Sequence, residues 1–274
     1  MTTATLTFIG GGNMASSIIG GLIAKGYPAD KIRASDPFEQ SRNTLQQQFG
    51  IATYADNGAA VAGADVVILS VKPQVLETVC SDLQPHLGNR PLVISIAAGI
   101  DIRSLDLWLS NELAIVRCMP NTPALVQTGA SGLFANDKTS DTQKALADDI
   151  LSAVGIVQWL DSEDMIDPVT AVSGSGPAYY FLMMEAMIDA GVAQGLTREA
   201  ATQLTLQTAL GAAKLAQGSD VDVAELRRRV TSPNGTTEQA ILSFENDKLR
   251  ETVARAMDKC SARSVEMAQE LGAK

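Results

Sequence analysis

The sequence has little of the chemistry that metal, disulfide or catalytic-triad sites require. It contains a single histidine, His86, which follows a proline in a predicted surface loop without any triad context, so we interpret it as structural or solvent-facing. Its three cysteines lie far apart and follow no metal-ligand spacing: Cys80, Cys118 and Cys260. We therefore predict no metal site, and isolated reduced cysteines indicate a cytoplasmic protein.

Long apolar runs and an excess of positive charge are also absent. Apolar stretches such as residues 66–69 and 92–100 are too short to span a bilayer, and residues 1–4 carry no basic segment typical of a signal peptide. The 274 residues include 21 Lys and Arg against 31 Asp and Glu, a net charge of −10. This balance argues against a nucleic-acid partner, and we expect no membrane partner. With 46% hydrophobic residues, the chain can bury a large core.

The N-terminus carries a glycine-rich turn between a predicted strand and a predicted helix. Thr5–Ile9 is apolar and β-prone, and the spacing Gly10-x-Gly12-x-x-Ala15 follows it. This spacing fits the dinucleotide fingerprint. Gly10 permits the tight turn, Gly12 lets the backbone approach a pyrophosphate, and Ala15 allows the helix to pack closely on the strand. The free N–H groups at the start of that helix would bind the phosphates.

Strands and helices alternate through residues 1–161. Near-continuous apolar runs at residues 65–71, 92–96 and 114–118 are typical of strands buried on both faces of a parallel sheet. The alternation predicts an α/β fold with an N-terminal Rossmann domain built on a doubly wound sheet. Ligands of such sheets bind beyond the carboxyl ends of the strands. Four such ends are of interest together: Gly10–Asn13, Ser35–Asp36, Val71–Pro73 and Ala97–Gly99.

Residues 162–274 contain no convincing strand. Ser173–Pro177 is predicted to be a glycine-serine turn, followed by a helix at Tyr179–Gln194 and a second at residues 202–215 with Thr197 as its N-cap. Both helices are apolar on most faces, so they must be buried on several sides. We therefore predict an all-α dimerisation domain that packs against a second subunit. The polar turns at residues 173–177 and 231–237 suit a small carboxylate or phosphate.

Five motifs together resemble those of pyrroline-5-carboxylate reductases. They are Phe8–Ala15, Val71–Pro73, Arg117–Pro123, Ala171–Tyr179 and Thr231–Thr237, and the match covers essentially the whole chain in order. The resemblance implies reduction of L-1-pyrroline-5-carboxylate to L-proline, the last step of proline biosynthesis, by hydride transfer from NADPH, with NADH as the alternative. It also implies a homodimer through interleaved helical domains and, in many members, a decamer of five dimers.

The resemblance also implies a role for each matched position. The pyrophosphate loop would consist of Gly10, Gly11, Gly12, Asn13 and Met14. Further cofactor contacts would come from Ser35 and Asn57 near the adenosine and from Val71, Lys72, Pro73, Ala97, Ala98 and Asn121 around the nicotinamide. Substrate contacts would come from Met119, Ser175, Gly176, Ser232, Gly235, Thr236 and Thr237. Asn234 stands where the family often has glycine, and the loop should persist because Asn tolerates a left-handed conformation.

The proton donor to the substrate nitrogen stays open. Thr237 is the catalytic candidate, as a hydrogen-bond partner of that nitrogen, and the alternative is a threonine that satisfies its own backbone. Lys72 could act as a general acid, but Pro73 favours a shaped turn in which the lysine contributes mainly its backbone. The Arg227–Arg229 run could attract an anionic substrate, although a solvated helix face is preferred.

The cofactor preference is also open, with NADPH favoured. Asp36 is placed to bind a ribose 2′-hydroxyl, which would favour NAD. Ser35 occupies the predicted strand tip instead, and either Arg42 or Arg33 could meet a 2′-phosphate.

Three rival functions differ in what they require. A β-hydroxyacid dehydrogenase of this fold would place a catalytic lysine on the first long helix of the second domain, and Tyr179–Gln194 contains none. Another imine reductase would share most features of the site. A nonenzymatic dinucleotide sensor would bind the cofactor without needing the hydroxyl-rich loop at residues 231–237.

Overall fold

The computed structural model describes residues 4–110 and 112–272, which form two compact units. The first unit comprises the chain up to Ser175 and the segment from Lys259 onward, and the second comprises Gly176–Asp258. The second unit thus begins later than the predicted boundary between residues 161 and 162. The return of the C-terminal segment to the first unit was not predicted.

An eight-stranded sheet forms the centre of the first unit. Its strands are β1 (Leu6–Ile9), β2 (Ile32–Ser35), β3 (Ala52–Tyr54), β4 (Val66–Leu69), β5 (Leu92–Ser95), β6 (Ile115–Met119), β7 (Gly129–Ala135) and β8 (Gly155–Trp159). The spatial order is β3-β2-β1-β4-β5-β6-β7-β8, and only β6 and β7 pair antiparallel. The predicted doubly wound sheet is confirmed. Its strand order reverses between β1 and β4, which is where such sheets bind ligands.

Helices cover both faces of this sheet. They are α1 (Asn13–Ala24), α2 (Glu39–Phe49), α3 (Asn57–Val61), α4 (Pro73–Leu83), α5 (Ile102–Trp108), α6 (Asp141–Leu151) and α7 (Ile166–Val169). Ile18 of α1 and Ile150 of α6 belong to one apolar cluster, and Leu76 of α4 and Leu105 of α5 belong to another. The strands β1, β4 and β5 supply buried residues to both clusters, which explains their near-continuous apolar sequences.

Local contacts define where two helices begin. α2 begins at Glu39 with Phe38 as its N-cap, because the Asp36 side chain closes a turn over Pro37. The predicted turn at residues 173–177 is largely helical. Thr170–Gly174 forms one π-helical turn that follows α7 and leads into the next helix.

The second unit is helical throughout. It contains α8 (Gly176–Ala193), α9 (Arg198–Gln217), α10 (Val223–Arg229), α11 (Thr236–Asn246) and the start of α12 (Leu249–Leu271), whose end belongs to the first unit. The predicted N-cap is confirmed, since the Thr197 side chain accepts a hydrogen bond from Ala200 N. Beyond residue 162 the described chain contains no strand. Within the described ranges, no helix is both long and apolar enough to cross a membrane.

Candidate dinucleotide and substrate site

The two outer glycines of the N-terminal loop meet different constraints. Gly10 has φ +98°, and a Cβ added there would lie 2.7 Å from the carbonyl oxygen of Ser70, so only glycine fits. Gly12 is the N-cap of α1 with φ −73°, and a Cβ added there would meet no atom within 4 Å. The loop therefore leaves open space in front of the helix, where the missing side chain would otherwise project.

The first turn of α1 presents unpaired backbone donors to this space. In the part of the chain that the structure describes, the N–H groups of Asn13, Met14 and Ala15 have no protein acceptor. No acidic residue lies in this turn. Together with the helix dipole, these donors fit a pyrophosphate. A cleft of about 670 Å³ adjoins the loop and is lined in part by Gly12, Asn13 and the exposed ring of Phe38.

The side chain of Asp36 bonds to the glycine loop. Its Oδ2 accepts a hydrogen bond from Gly11 N at 2.9 Å, and its Oδ1 accepts one from Phe38 N at 2.9 Å. Arg42 Nη1 in turn donates to the carbonyl oxygens of Asp36 and Pro37. Both carboxylate oxygens therefore hold the turn that carries the loop. An Asp whose side chain accepts a hydrogen bond from the N–H two residues further on forms such a turn, and Asp36-Pro37 is its local sequence signal. The glycine spacing does not contain this signal.

Ser35 and Asn57 meet at the end of β2. Ser35 is buried, and its hydroxyl donates to Asn57 Oδ1 at 2.7 Å, at the start of α3. Arg33 Nη1 donates to the carbonyl oxygen of Ala62 at 2.8 Å, just after α3 ends, so this guanidinium caps a helix. The structure thus brings the two predicted adenosine-side residues together. The Arg33 guanidinium bonds to the end of α3 instead of lying at the end of β2.

The predicted nicotinamide residues follow two neighbouring strands. Val71 and Lys72 come after β4, and Lys72 is the N-cap residue of α4 with Pro73 at the first position of that helix. The Lys72 ammonium is exposed, while its carbonyl oxygen accepts from Val75 N, which agrees with the preferred backbone role. Ala97 and Ala98 come after β5, which pairs with β4. Both segments therefore lie at the same edge of the sheet.

Asn121 and Met119 connect the end of β6 to the segment before α8. Asn121 Oδ1 accepts from Ala130 N at 2.9 Å, and its Nδ2 donates to the carbonyl oxygen of Ser173 at 3.1 Å. Met119 packs so closely on Gly174 that a Cβ added there would lie 2.5 Å from Met119 Cε. The amide of Asn121 is thus occupied by the fold, and it holds the two segments together.

Ser175 and Gly176 lie at the junction of the two units. Ser175 is the last residue before the second unit, and its Oγ accepts a hydrogen bond from Cys260 Sγ at 3.2 Å. Gly176 opens α8, and a Cβ added there would meet nothing within 4 Å.

The remaining predicted substrate residues surround the start of α11 in the second unit. Gly235 is the N-cap of α11, so Thr236 and Thr237 form its first turn, and their N–H groups have no acceptor in the described chain. Asn234 has φ +59°, which confirms the expected left-handed conformation at the position where glycine is common.

The hydroxyls of this segment are also unpaired. Over the described residues, the side chains of Ser232, Thr236 and Thr237 make no hydrogen bond. Thr231, in contrast, donates to the carbonyl oxygen of Arg227 at 2.7 Å. The alternative considered for Thr237, a threonine that satisfies its own backbone, therefore describes Thr231. Three hydroxyls and the first N–H groups of an eleven-residue helix lie within residues 232–237, beside Glu238, whose carboxylate accepts a hydrogen bond from Asn234 N. Unpaired hydroxyls and helix N–H groups are groups that bind a carboxylate.

The arginine run lies on an exposed surface, as preferred. Glu225 accepts hydrogen bonds from Arg229 and Arg228, which lower the pKa of its carboxyl. Arg227 pairs with Glu245, whose pKa is lowered mainly by its hydrogen bonds from Arg250. All three arginines are exposed and form ion pairs with Glu225 or Glu245, as expected for a solvated helix face.

Titratable groups elsewhere give no second site. His86 is exposed in a 3-10 turn. Burial raises the pKa of the Cys80 and Cys118 thiols to about 12, which keeps both protonated and unreactive. Across residues 4–110 and 112–272, no group of three or more His, Cys, Asp or Glu side chains could hold a metal ion. One buried ion pair was not anticipated: Arg117 Nη1 lies 2.9 Å from Glu163 Oε1.

Comparison with known proteins points to one family. A family model described as pyrroline-5-carboxylate reductase dimerisation matches residues 163–267, and one described as NADP oxidoreductase, coenzyme F420-dependent, matches residues 5–99. The pyrroline-5-carboxylate reductase of Pseudomonas aeruginosa is 57% identical, covering 99% of this chain and 100% of that protein.

Solved structures agree with the sequence relatives. A pyrroline-5-carboxylate reductase from Coxiella burnetii has a TM-score of 0.94 at 44% identity, with 100% of both chains covered. A Plasmodium falciparum pyrroline carboxylate reductase with NADP bound has a TM-score of 0.87 at 32% identity and covers 98% of this chain and 99% of its own. A 3-hydroxyisobutyrate dehydrogenase from Mycobacterium tuberculosis, at 17% identity and a TM-score of 0.54, shares the fold alone.

Proposed function

The chain belongs to the pyrroline-5-carboxylate reductase family, and we propose the residues with which it reduces L-1-pyrroline-5-carboxylate to L-proline, the last step of proline biosynthesis. It is an NAD(P)H-dependent oxidoreductase that acts on a cyclic imine. The site assignment rests on the start of α11, where hydroxyls and N–H groups without protein partners lie close together in the sequence. A β-hydroxyacid dehydrogenase is disfavoured, since α8 contains no lysine.

The first unit supplies the cofactor residues. The open space at Gly12 and the unpaired N–H groups of α1 fit a dinucleotide pyrophosphate. When bound, the nicotinamide supplies the hydride. We assign the pyrophosphate to Gly10, Gly11, Gly12, Asn13 and Met14, the adenosine side to Ser35 and Asn57, and the nicotinamide side to Val71, Lys72, Pro73, Ala97, Ala98 and Asn121. The side chains of Ser35, Asn57 and Asn121 form hydrogen bonds within the protein, so we propose that these three residues shape the cofactor pockets.

The second unit supplies the carboxylate residues. Ser232, Gly235, Thr236 and Thr237 offer hydroxyls and N–H groups at the positive end of the α11 dipole, where a carboxylate is stabilised. Charge-assisted hydrogen bonds of this kind are about twice as strong as neutral ones. Met119, Ser175 and Gly176 are assigned to the substrate because Met119 ends β6, and Ser175 and Gly176 lie where α8 begins.

Thr237 is the proposed hydrogen-bond partner of the substrate nitrogen. Its hydroxyl is exposed, and one donor and two acceptor sites are free on it. A protonated imine is already electrophilic, so the residue is required to orient the nitrogen rather than to act as a strong acid.

Substitution of Thr237 tests this role. We expect Thr237→Ala to lower kcat/KM for L-1-pyrroline-5-carboxylate about tenfold, the effect of losing roughly 1.4 kcal/mol of transition-state interaction, with KM for NADPH unchanged. Thr237→Ser should retain most of the activity. Ser243→Ala, which removes a hydroxyl further along α11, is the matched control. Unchanged kinetics in Thr237→Ala would remove the residue from the mechanism.

The second unit is also the proposed dimer interface. Tyr180, Phe181 and Leu182 on α8 and Leu204 and Leu210 on α9 are half to more than two-thirds exposed in the single chain. Consecutive large apolar residues point in different directions around a helix, so their burial requires a partner on several sides. The family model for dimerisation matches this region. We also propose that five such dimers assemble into a decamer.

We also propose that the enzyme works in the cytoplasm. The three cysteines are free in the structure, and two of them are fully buried as protonated thiols. This pattern is typical of reducing compartments.

A further inference from the structure

The last part of α12 presents one stripe of residues to the first unit. Its members recur at the four- and three-residue spacing that places side chains on one side of a helix: Cys260, Ser264, Met267 and Leu271. We call these four residues the α12 stripe. Ser264 is buried and the others are half-buried, whereas Arg263 lies on another side of the helix in exposed ion pairs with Glu266 and Glu270.

Two members of the α12 stripe contact segments assigned to the reaction. Cys260 Sγ donates a hydrogen bond to Ser175 Oγ at 3.2 Å. Met267 packs on Gly99, where an added Cβ would lie 3.0 Å from Met267 Cβ. Gly99 has φ +71° and directly follows Ala97 and Ala98, so its backbone conformation sets the course of that segment.

The other two members anchor the helix. Ser264 Oγ donates to Asp167 Oδ1 on α7 at 2.6 Å. Leu271 packs on the apolar cluster that includes residues of α4 and α5. These contacts fix the α12 stripe against the first unit independently of the two site segments.

We propose that the α12 stripe positions the reaction site, with Cys260 as a positioning residue for Ser175 and Met267 as one for the Ala97–Gly99 segment. The inference rests on the proposed roles of Ser175 with the substrate and of Ala97 and Ala98 with the nicotinamide. Cys260 and Met267 act through these residues and do not contact the ligands themselves.

The hydrogen bond from Cys260 defines the orientation of the Ser175 hydroxyl. A serine hydroxyl has one donor and two acceptor sites, and the thiol occupies one acceptor site. The hydroxyl proton is therefore directed away from Cys260. Without the thiol, the hydroxyl rotates among several orientations, and its bond to the substrate weakens.

Kinetics of Cys260 variants test the first half of the proposal. We expect Cys260→Ala to raise KM for L-1-pyrroline-5-carboxylate about fivefold, which corresponds to one ordinary hydrogen bond, while KM for NADPH stays within twofold. Cys260→Ser keeps a donor at this position and should recover part of the loss. Val265→Ala, on the exposed side of the same helix, should behave as the unsubstituted enzyme.

Variants of Met267 and Arg263 test the second half. Met267→Ala should raise KM for NADPH severalfold and leave KM for the imine largely unchanged, because the contact is with the Ala97–Gly99 segment. Arg263→Ala breaks exposed ion pairs on another side of the same helix, so it should change neither KM.

The outcomes separate this inference from the proposed function. If the unsubstituted enzyme reduces the imine but Cys260→Ala and Met267→Ala retain both KM values, the α12 stripe has no positioning role. The same conclusion follows if both variants raise the two KM values together, or if Cys260→Ser is no better than Cys260→Ala. If the unsubstituted enzyme itself has no activity, the proposed function fails before the variants are compared.

Discussion

At the scale of single residues, Gly10 and Gly12 lie two positions apart and meet different demands. The positive φ of Gly10 and the carbonyl of Ser70 exclude a side chain for reasons internal to the fold. The protein itself leaves room for a side chain at Gly12, so the proposed requirement for glycine there comes from the pyrophosphate and not from the fold.

Substitution by alanine should therefore affect cofactor binding at Gly12 and the stability of the fold at Gly10. Gly12→Ala should change the free energy of unfolding by less than about 0.5 kcal/mol, as for a surface substitution, but weaken NADPH binding at least about tenfold. Gly10→Ala should destabilise the fold strongly, because both the backbone conformation and the contact with Ser70 are unfavourable. Denaturant unfolding and cofactor titration measure the two effects. Unchanged NADPH affinity in Gly12→Ala would argue against a pyrophosphate at this loop.

Asp36 provides a second prediction at this scale. Since its two oxygens hold Gly11 and Phe38, Asp36→Ala should loosen the glycine loop and weaken NADPH and NADH binding by similar factors, about tenfold for two charge-assisted hydrogen bonds. Steady-state KM values for both cofactors measure this. If Asp36 instead bound a ribose 2′-hydroxyl, the substitution would raise KM for NADH and lower KM for NADPH.

Residue roles were predictable where they depend on local sequence. The left-handed conformation of Asn234 and the N-cap at Thr197 follow from the residue types themselves. The pairing of Ser35 with Asn57 joins positions 22 residues apart, and Cys260 meets Ser175 across 85 residues. Such contacts are set by packing of whole elements, and no single-sequence pattern contains them.

At the scale of elements, the ion pair of Arg117 with Glu163 joins β6 to the turn before α7. Glu163 Oε1 also accepts from Ile102 N at the start of α5, at 2.8 Å. One carboxylate thus satisfies a buried guanidinium and a helix N-terminus, and it ties three elements together.

Removal of this carboxylate should be costly. Glu163→Ala leaves Arg117 buried without a partner, and we expect a loss of about 3 kcal/mol in the free energy of unfolding. The control is Glu112→Ala, which breaks an exposed pair with Arg90 and should cost less than about 1 kcal/mol. Chemical denaturation compares them. Equal stability of the two variants would mean that the buried pair contributes no more than a surface pair.

Most elements of the first unit were predictable because apolar runs mark them directly. The buried strands at Val66–Leu69 and Leu92–Ser95 fall inside the predicted ranges. The sequence predicts a turn at residues 173–177 because glycine and serine favour turns. In the structure, the packing of Met119 on Gly174 and the hydrogen bond from Asn121 to Ser173 accompany a π-helical turn there, and the sequence pattern contains neither contact.

At the scale of the whole molecule, the second unit exposes many large apolar side chains, among them Tyr180, Phe181 and Leu182. The apolar pattern of α8 and α9 predicts that both helices are buried, but it does not identify the surface that buries them. The same limit applies to α12, because no sequence pattern indicates that its last part contacts the first unit.

The state of association should respond to charge on α8. We expect the protein to sediment as a dimer or larger species at micromolar concentration, and Leu182→Glu to shift it towards the monomer, because a carboxylate cannot be buried in an apolar interface without a partner. Leu107→Glu, at a leucine of α5 that is also more than half exposed, should leave the sedimentation unchanged. A monomeric unsubstituted protein, or no shift in Leu182→Glu, would contradict the proposed interface.

The reaction itself is the most direct test of the account. Purified protein should be mixed with L-1-pyrroline-5-carboxylate and either NADPH or NADH, and both cofactor oxidation and L-proline formation should be followed. We predict rapid turnover with one L-proline formed for each cofactor oxidised. A folded protein that binds the cofactor but forms no L-proline with either one would contradict the account and favour a dinucleotide sensor or another imine substrate.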